Sequence, residues 1–359
     1  MKYQNTPNFS HGQADKIGIL LTNLGTPDAP TKGALKPYLK EFLSDPRVVE
    51  IPRVIWWCIL NGVILPLRSR RSAKAYEGVW TEQGSPLLVN TQNLSNKIAE
   101  HFSENNNLII DFAMRYGNPS IDSKLQGLLN QGARKVIVLP LYPQYSATTT
   151  ASTFDAVADV FRKIRFIPEL RFINHYTDSK KLIVAIANKI RKTWEVEGRA
   201  DKLIFSYHGI PNRYWHNGDP YACQCHKTSR LLAEELGLTS DEFMTCFQSR
   251  FGKEEWVKPY LDHTLKGLPK QGVKSVQVVC PGFSADCLET IEEIGEENRD
   301  YFLEAGGEKF TYISCLNDEP EHVEAIAEII EQQLLGWEVE QNVEPRQQRA
   351  ESLRQRQKS

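Results

Sequence analysis

The chain has 359 residues, 41% of them apolar and 25% charged, an ordinary globular profile with enough length for two sizeable cores. A formal net charge of −2 argues against nucleic acid as the main partner, because proteins that bind it carry a basic excess. The seven cysteines (Cys58, Cys223, Cys225, Cys246, Cys280, Cys287, Cys315) are scattered and odd in number, as expected of reduced thiols and not of a disulfide framework.

Residues 1–15 are polar and read as an N-terminal extension without the apolar stretch of a secretion signal. A first β-branched run at 17–24 leads into Gly25-Thr26-Pro27. Residues 51–68 (IPRVIWWCILNGVILPLR) are strongly apolar, but Pro52, Arg53, Asn61 and Pro66 interrupt them. The uninterrupted part falls short of the roughly 20 residues that span a bilayer. A buried segment, a hydrophobic lip over a pocket and a surface resting on a membrane all fit it. On the lip reading, charge at Trp56 or Leu60 should weaken ligand capture. Further strand-like runs at 108–115, 135–141, 171–176, 203–207, 243–249, 275–280 and 310–315 alternate with helical segments. That alternation predicts parallel sheets built from βαβ units. Residues 319–337 are expected to form a C-terminal helix packing back on the N-terminal lobe, and 338–359, almost wholly polar, a disordered tail.

Three echoes in the same order divide the chain. KIGILLTNLGTP (16–27) is matched by KLIFSYHGIP (202–211), FAMRYG (112–117) by FQSRFG (247–252), and QGARKVIVLP (131–140) by QGVKSVQVVC (271–280). The third pair is followed each time by Ser-Ala, Ser146-Ala147 and Ser284-Ala285. Echoes in register imply two similar α/β lobes, 16–168 and 169–318, with helices on both faces of each sheet. Open parallel sheets bind ligands beyond the carboxyl ends of their strands, so loops after these strands should line a cleft between the lobes. The repeat sets Leu24 and His208 at corresponding points, and Ala151 opposite Glu289. The first lobe is apolar where the second has a histidine and a carboxylate, which assigns the chemistry to the C-terminal lobe.

His208 precedes Gly209-Ile210-Pro211, a turn made rigid by the fixed φ of proline. Held there, a neutral imidazole can accept a proton near neutral pH or bind a borderline metal. A hydrogen-bonded histidine at a strand end is the plain alternative. Glu289, Glu293 and Glu297 recur at i, i+4 and i+8, which on an α-helix makes a column of carboxylates with Glu292 and Glu296 off it. No lysine or arginine on the segment relieves this charge before Arg299. Such a column can lead a divalent cation inward or conduct protons outward; a solvated acidic face is the ordinary alternative. Cys223 and Cys225, with Cys246, match no standard zinc or iron–sulfur spacing. Aromatic and basic residues gather at 68–87, where they suit a flat apolar ligand bearing carboxylates, which Arg grips through two parallel hydrogen bonds. Core packing explains Trp80 and Tyr142 equally well.

Seven stretches together resemble the ferrochelatase family from residue 16 to about 336, most nearly its Gram-negative bacterial members: LLTNLGTP (20–27), FAMRYGNP (112–119), LPLYPQYSATTT (139–150), SYHGIP (206–211), GDPY (218–221), FQSRFG and CPGFSADCLETIEEI (280–294). The resemblance implies two Rossmann-like lobes and a lyase that inserts Fe²⁺ into protoporphyrin IX at the last step of haem synthesis. His208 and Glu289 would then be the catalytic, metal-facing pair on one side of the porphyrin, and Glu293 and Glu297 a proton or metal path. Leu24 falls where the family touches the opposite porphyrin face. Arg115 and Tyr116 match pocket residues, and Ser85 with Arg70 or Arg71 falls where propionates are held. Iron is a substrate on this reading and no cofactor is required. The [2Fe–2S] cluster of the animal enzymes is not expected, because no cysteine follows Cys315. The segment 51–68 falls where the family has a hydrophobic lip at the pocket mouth; a cytoplasmic protein is expected, and contact of the lip with the inner membrane and a transient meeting with the preceding haem-pathway enzyme stay open. A related cobalt chelatase and a non-catalytic two-lobed tetrapyrrole-binding protein remain the alternatives.

Overall fold

Strands buried on both faces read as near-continuous apolar runs, and only parallel sheets covered by helices on each side bury them so. The computed structural model describes residues 3, 14–252 and 254–337. The expected tail at 338–359 and most of the N-terminal extension lie outside these residues. The first lobe runs β1 (Lys16–Thr26), α1 (Lys32–Ser44), α2 (Arg53–Ile59), a π-helical turn (Leu60–Ile64), α3 (Leu65–Val79), α4 (Pro86–His101), β2 (Leu108–Gly117), α5 (Ile121–Asn130), β3 (Ala133–Pro140), a second π-helical turn (Ala147–Ala151), α6 (Ser152–Phe161) and β4 (Glu169–Phe172). The second runs α7 (Lys180–Glu197), β5 (Lys202–His208), α8 (Asn212–His216), α9 (Tyr221–Leu236), β6 (Phe243–Gln248), α10 (Leu261–Gly267), a 3₁₀ turn (Leu268–Gln271), β7 (Ser275–Val279), a π-helix (Glu289–Asn298), α11 (Arg299–Glu304), β8 (Lys309–Ile313) and α12 (Pro320–Leu334).

The two four-stranded sheets have the same order, β2-β1-β3-β4 and β6-β5-β7-β8, and every pairing is parallel. Leu21 pairs with Leu139 and Phe205 with Val279, so the echo of 131–140 in 271–280 is in structural register. The echo of FAMRYG in FQSRFG is not. Leu21 pairs with Phe112 whereas Phe205 pairs with Thr245, so Phe112 corresponds to Thr245 and the motifs are offset by two residues. An offset of two keeps side chains on the same face, which is why the motifs look alike. It also makes Gln248, the partner of His208, the counterpart of Arg115 beside Leu24.

The strand expected at 171–176 ends at Phe172 and pairs with β3, so the first sheet continues past the boundary drawn at 168. Membership of a sheet is settled by distant pairing partners, and the local run carries no sign of which sheet it joins. Ile17, Ile19 and Leu21 of β1 and Leu203, Phe205 and Tyr207 of β5 belong to one continuous core, together with apolar residues of α4, α7, α9 and α12. These four helices therefore serve the inner faces of both sheets. Separate clusters under α5 and α6, and under α10 and α11, cover the outer faces. α12 packs on α7 and α4, and just after it Trp337 donates its indole N–H to Glu169 of β4 at 2.9 Å.

At the carboxyl ends of β1 and β5 the neighbouring strand passes too close for any side chain. A Cβ on Gly25 (φ +117°) would lie 1.9 Å from the Tyr116 carbonyl oxygen, and one on Gly209 2.9 Å from that of Gln248. These glycines occupy the same place in the two lobes, directly after Leu24 and His208. Gly25→Ala is expected to lower the unfolding free energy by at least about 2 kcal/mol, through strain that β2 cannot escape. Gly127→Ala, inside α5 with open space around it, should instead add about 0.5–1 kcal/mol. Urea midpoints at unchanged slope measure both; a Gly25→Ala protein as stable as wild type would show that β2 yields freely.

Candidate active site

Side chains alternate along β5, so Leu203, Phe205 and Tyr207 enter the shared core while Ile204, Ser206 and His208 face the other side. His208 is half-buried at the strand end, its ring tilted against Trp256 with centroids 6.4 Å apart. Its Nδ1 lies 2.7 Å from the Gly209 carbonyl, which can only accept. In the neutral ring Nδ1 therefore carries the hydrogen and Nε2 keeps the lone pair for a proton or a metal. The sequence-expected turn thus sets the tautomer as well as the direction of the imidazole.

Across the strand pair, the buried Gln248 side chain joins this strand to the acidic helix. Its Oε1 accepts from Ser206 Oγ at 2.6 Å and Cys280 Sγ at 3.7 Å, and its Nε2 donates to the Glu289 carbonyl at 3.3 Å. The loop into that helix is anchored by buried Asp286. Its Oδ1 accepts from Tyr312 OH at 2.6 Å, Thr290 Oγ1 at 3.1 Å and the Cys315 N–H at 3.2 Å, and its Oδ2 from Asn317 Nδ2 at 2.7 Å.

Glu289–Asn298 is a π-helix, not the α-helix on which the column was reckoned. With i→i+5 bonds a turn takes more residues, so i, i+4 and i+8 still share a face but drift the other way. Positions five apart come together as well, so Glu292 interacts with Glu297 and is not off the column. Burial, then Glu297 and Glu296, push the Glu292 carboxyl up; Arg71 of α3 draws it back. The relief that the segment itself lacks comes across the lobes. Glu293 accepts a hydrogen bond from Ser249 Oγ, and burial outweighs that bond and, with the Glu289 charge, pushes its carboxyl up to about 7. Glu296 and Glu297 are exposed, Glu297 accepting from the Tyr301 hydroxyl.

From the first lobe, α1 and α3 bring Tyr38 and Tyr76 near Glu289; burial is the main cause of their raised hydroxyls, and the Glu289 charge adds to it. Leu24 packs against the buried cluster of Leu87, Ala285 and Cys287, the last two in the loop leading to Glu289. Arg70 and Arg71 are exposed on α3. The other expected pocket residues are committed elsewhere. Asp45 Oδ2 accepts from Arg115 Nη2 at 2.6 Å, Ser152 Oγ at 2.6 Å and Tyr116 OH at 2.8 Å. Burial opposes the Asp45 charge, but these bonds and the Arg47 N–H outweigh it and hold its carboxyl below the usual range. Tyr116 is 0% exposed and Ser85 2%, the latter accepting from Thr26 Oγ1 at 2.8 Å. Both are struts beneath the site. Asp45, Gln248 and Ser249 went unrecognised in the sequence, because nothing local marks a carboxylate or amide that works through partners on other strands.

The segment 51–68 is helical from Arg53 onward and two-faced. Val54 (80% exposed), Trp57 (64%) and Leu67 (69%) point outward, with Ile55 and Val63 also exposed. Leu60 is buried and the Trp56 indole donates to the Leu43 carbonyl at 2.6 Å, so these two positions, expected on the lip surface, are its underside. Among the described residues no helix is long and apolar enough to cross a membrane, and no three His, Cys, Asp or Glu side chains stand together as a metal site. All seven cysteines are free thiols, five of them buried.

A family model described as Ferrochelatase matches residues 16–334. A protein named ferrochelatase from Idiomarina loihiensis is 63% identical over 356 residues, covering 99% of this chain and 98% of its own. Another of that name from Pseudoalteromonas atlantica is 61% identical over 340 residues, 94% of each. Among solved structures, the one titled SirB from Bacillus subtilis with Fe3+ superposes with a TM-score of 0.53 at 12% identity, covering 92% of this chain and 100% of that one. This last likeness concerns the fold alone.

The raised Glu293 carboxyl has a definite effect on stability. Between its ordinary value of 4.5 and about 7, the folded chain keeps a proton that the unfolded chain has lost. Stability therefore falls as pH rises through that window. Glu293→Gln, which cannot ionise, should unfold like wild type near pH 4 and be more stable at pH 8, by on the order of 1–2 kcal/mol. Thermal melts at the two pH values check this. Equal differences at both would mean that the carboxyl is not perturbed.

Proposed function

The chain belongs to the ferrochelatase family and inserts ferrous iron into protoporphyrin IX, and from that premise we propose that His208 and Glu289 carry the metallation step. The reaction breaks two pyrrole N–H bonds, forms iron–nitrogen bonds and releases two protons, so the site needs acceptors on the macrocycle face where the metal enters. The observation that carries the reading is the His208 tautomer: Gly209 takes the Nδ1 hydrogen and leaves Nε2 a free base at the strand end. Glu289, held by Gln248 on the adjoining strand, would take the second proton. Glu293, titrating near 7, can receive and release protons at neutral pH and would pass them toward exposed Glu297. Leu24 would meet the other porphyrin face, and the exposed Arg70 and Arg71 would hold propionates. Arg115, Tyr116 and Ser85 would shape the pocket from behind through Asp45 and Thr26. A cleft that buckles the ring would expose its nitrogens, the strain being offset by binding of the remainder. We further propose a cytoplasmic enzyme without a resident cluster, whose lip rests on the inner membrane where the preceding haem-pathway enzyme can meet it.

His208→Ala and Glu289→Gln are expected to fold and to bind protoporphyrin, yet to lose at least about 100-fold in turnover. Absorption spectra of protoporphyrin mixed with Zn²⁺ or Fe²⁺ measure this; retention of more than about a tenth of wild-type turnover would remove the residue from the reaction. Glu296→Gln is the control expected to be near wild type. Glu293→Gln and Glu297→Gln should lower kcat at saturating metal if the column removes protons, and raise the KM for metal if it guides cations.

For the lip, Trp57→Glu should leave the melting temperature unchanged while weakening co-sedimentation with vesicles containing phosphatidylglycerol. Leu60→Asp should cost more than about 2 kcal/mol of stability, since it buries an unpaired charge. Unchanged vesicle binding by Trp57→Glu would exclude the outer face as a membrane contact.

A further inference from the structure

Two adjacent residues at the end of β6 reach Glu289 and Glu293, two of the acids of the π-helix. Gln248 donates to the Glu289 carbonyl at 3.3 Å, and Ser249 donates its hydroxyl to the Glu293 carboxylate. We propose that Gln248 and Ser249 form a clamp of positioning residues, which holds Glu289 and Glu293 in register with His208 on the neighbouring strand. The proposal rests on the role given to those acids above.

The orientation of Gln248 is forced. The Glu289 carbonyl can only accept, so the amide nitrogen points at the helix and Oε1 is left to accept from Ser206 and Cys280. Because Gln248 pairs in register with His208, the same strand contact that sets the histidine sets the clamp. Ser249 adopts φ +64°, a left-handed conformation shared, among the described non-glycine residues, only with Asn317. Such backbone persists in a non-glycine residue only where its surroundings impose it. Glycine would suit the turn better but has no hydroxyl for Glu293. From the far end of the helix, Asn298 Nδ2 donates to the Glu293 carbonyl at 2.7 Å.

The first lobe repeats the device without the acids. Arg115, at the place of Gln248, donates Nε to the Ser152 carbonyl at 2.9 Å, and Tyr116, at the place of Ser249, lies 3.0 Å from Ser152 Oγ. The Ser-Ala pairs, Ser146 and Ser284, set Ser152 opposite Thr290, so the grips of Arg115 and Gln248 fall within one residue of each other and those of Tyr116 and Ser249 three residues apart. Tying the end of the second strand to the start of the helix after the third is thus a property of both lobes. In the second lobe the tied helix carries the site's carboxylates.

The test is a double-mutant cycle on Zn²⁺ insertion. Ser249→Gly keeps the backbone conformation and removes only the hydroxyl, so the fold is expected to melt no lower than wild type. Turnover should fall severalfold, up to about tenfold and no further than in Glu293→Gln, with porphyrin affinity by fluorescence unchanged. In a Glu293→Gln background the same substitution should cost less than twofold. Gln248→Met should behave likewise, with a loss that shrinks when Glu289→Gln is already present. Wild-type turnover in Ser249→Gly, or an equal loss in both backgrounds, would overturn the clamp. If Glu289→Gln and Glu293→Gln are themselves active, the role of the acids fails and the clamp with it; if they are impaired while Ser249→Gly is not, the clamp alone fails.

Discussion

A parallel sheet must be covered on both faces, and here one layer of helices covers the inner face of two sheets at once. α4, α7, α9 and α12 share a continuous apolar core with Ile17, Ile19 and Leu21 on one side and Leu203, Phe205 and Tyr207 on the other. Neither lobe can shift against the other without exposing part of that core, at roughly 25 cal/mol for each Å² of apolar surface returned to water. The lobes are therefore held in one relation, and the loops beyond the strand ends inherit it. The first-lobe helices α1 and α3 can then lie over a π-helix belonging to the second.

On that fixed frame the two lobes carry the same chain geometry with different chemistry. Gly25 and Gly209 allow the same close approach, and Leu24 and His208 precede them. Arg115 and Gln248 then stand beside Leu24 and His208. In the first lobe the polar atoms are turned inward and satisfied at Asp45, leaving an apolar Leu24. In the second they are turned to the acidic helix, leaving His208 with a free nitrogen. On the proposed assignment one half would supply a wall and the other the reacting groups, with no change of fold between them.

The acidic helix would repel itself were its carboxylates all ionised and unpartnered. The structure disposes of the charge locally. Glu293 is buried enough to hold a proton to about pH 7 and is met by Ser249, Glu292 is drawn back in part by Arg71 across the lobes though its carboxyl stays raised, and Glu297 is exposed with Tyr301 beside it. Like charges on a helix cost a few tenths of a kcal/mol per pair in water, and more where solvent is excluded. A graded series from half-buried Glu289 to exposed Glu297 keeps that cost bounded, and on the proposed reading it would give protons a direction outward.

Much of this was legible before any coordinates. The eight strands were visible because doubly buried strands must be apolar throughout, and the duplication because both copies must pack the same shared layer. The equivalence of Leu24 and His208 followed from the echo of 16–27 in 202–211, and Glu289 from its place after the third strand of its lobe. What remained hidden depends on partners far along the chain. The strand beginning at Glu169 looks local but belongs to the first sheet through β3. The two-residue offset that makes Gln248 the counterpart of Arg115 exists only in the pairing register. Periodicity alone could not say that Leu60 faces in and Trp57 out, since both are apolar on an apolar segment. The π-helical winding that brings Glu292 to Glu297, and the left-handed Ser249 that meets Glu293, are unfavourable locally and are sustained by surrounding contacts. Residue type and spacing determined which groups could react; long-range packing decided which way they point, because only packing can stabilise a local conformation the chain would not choose alone.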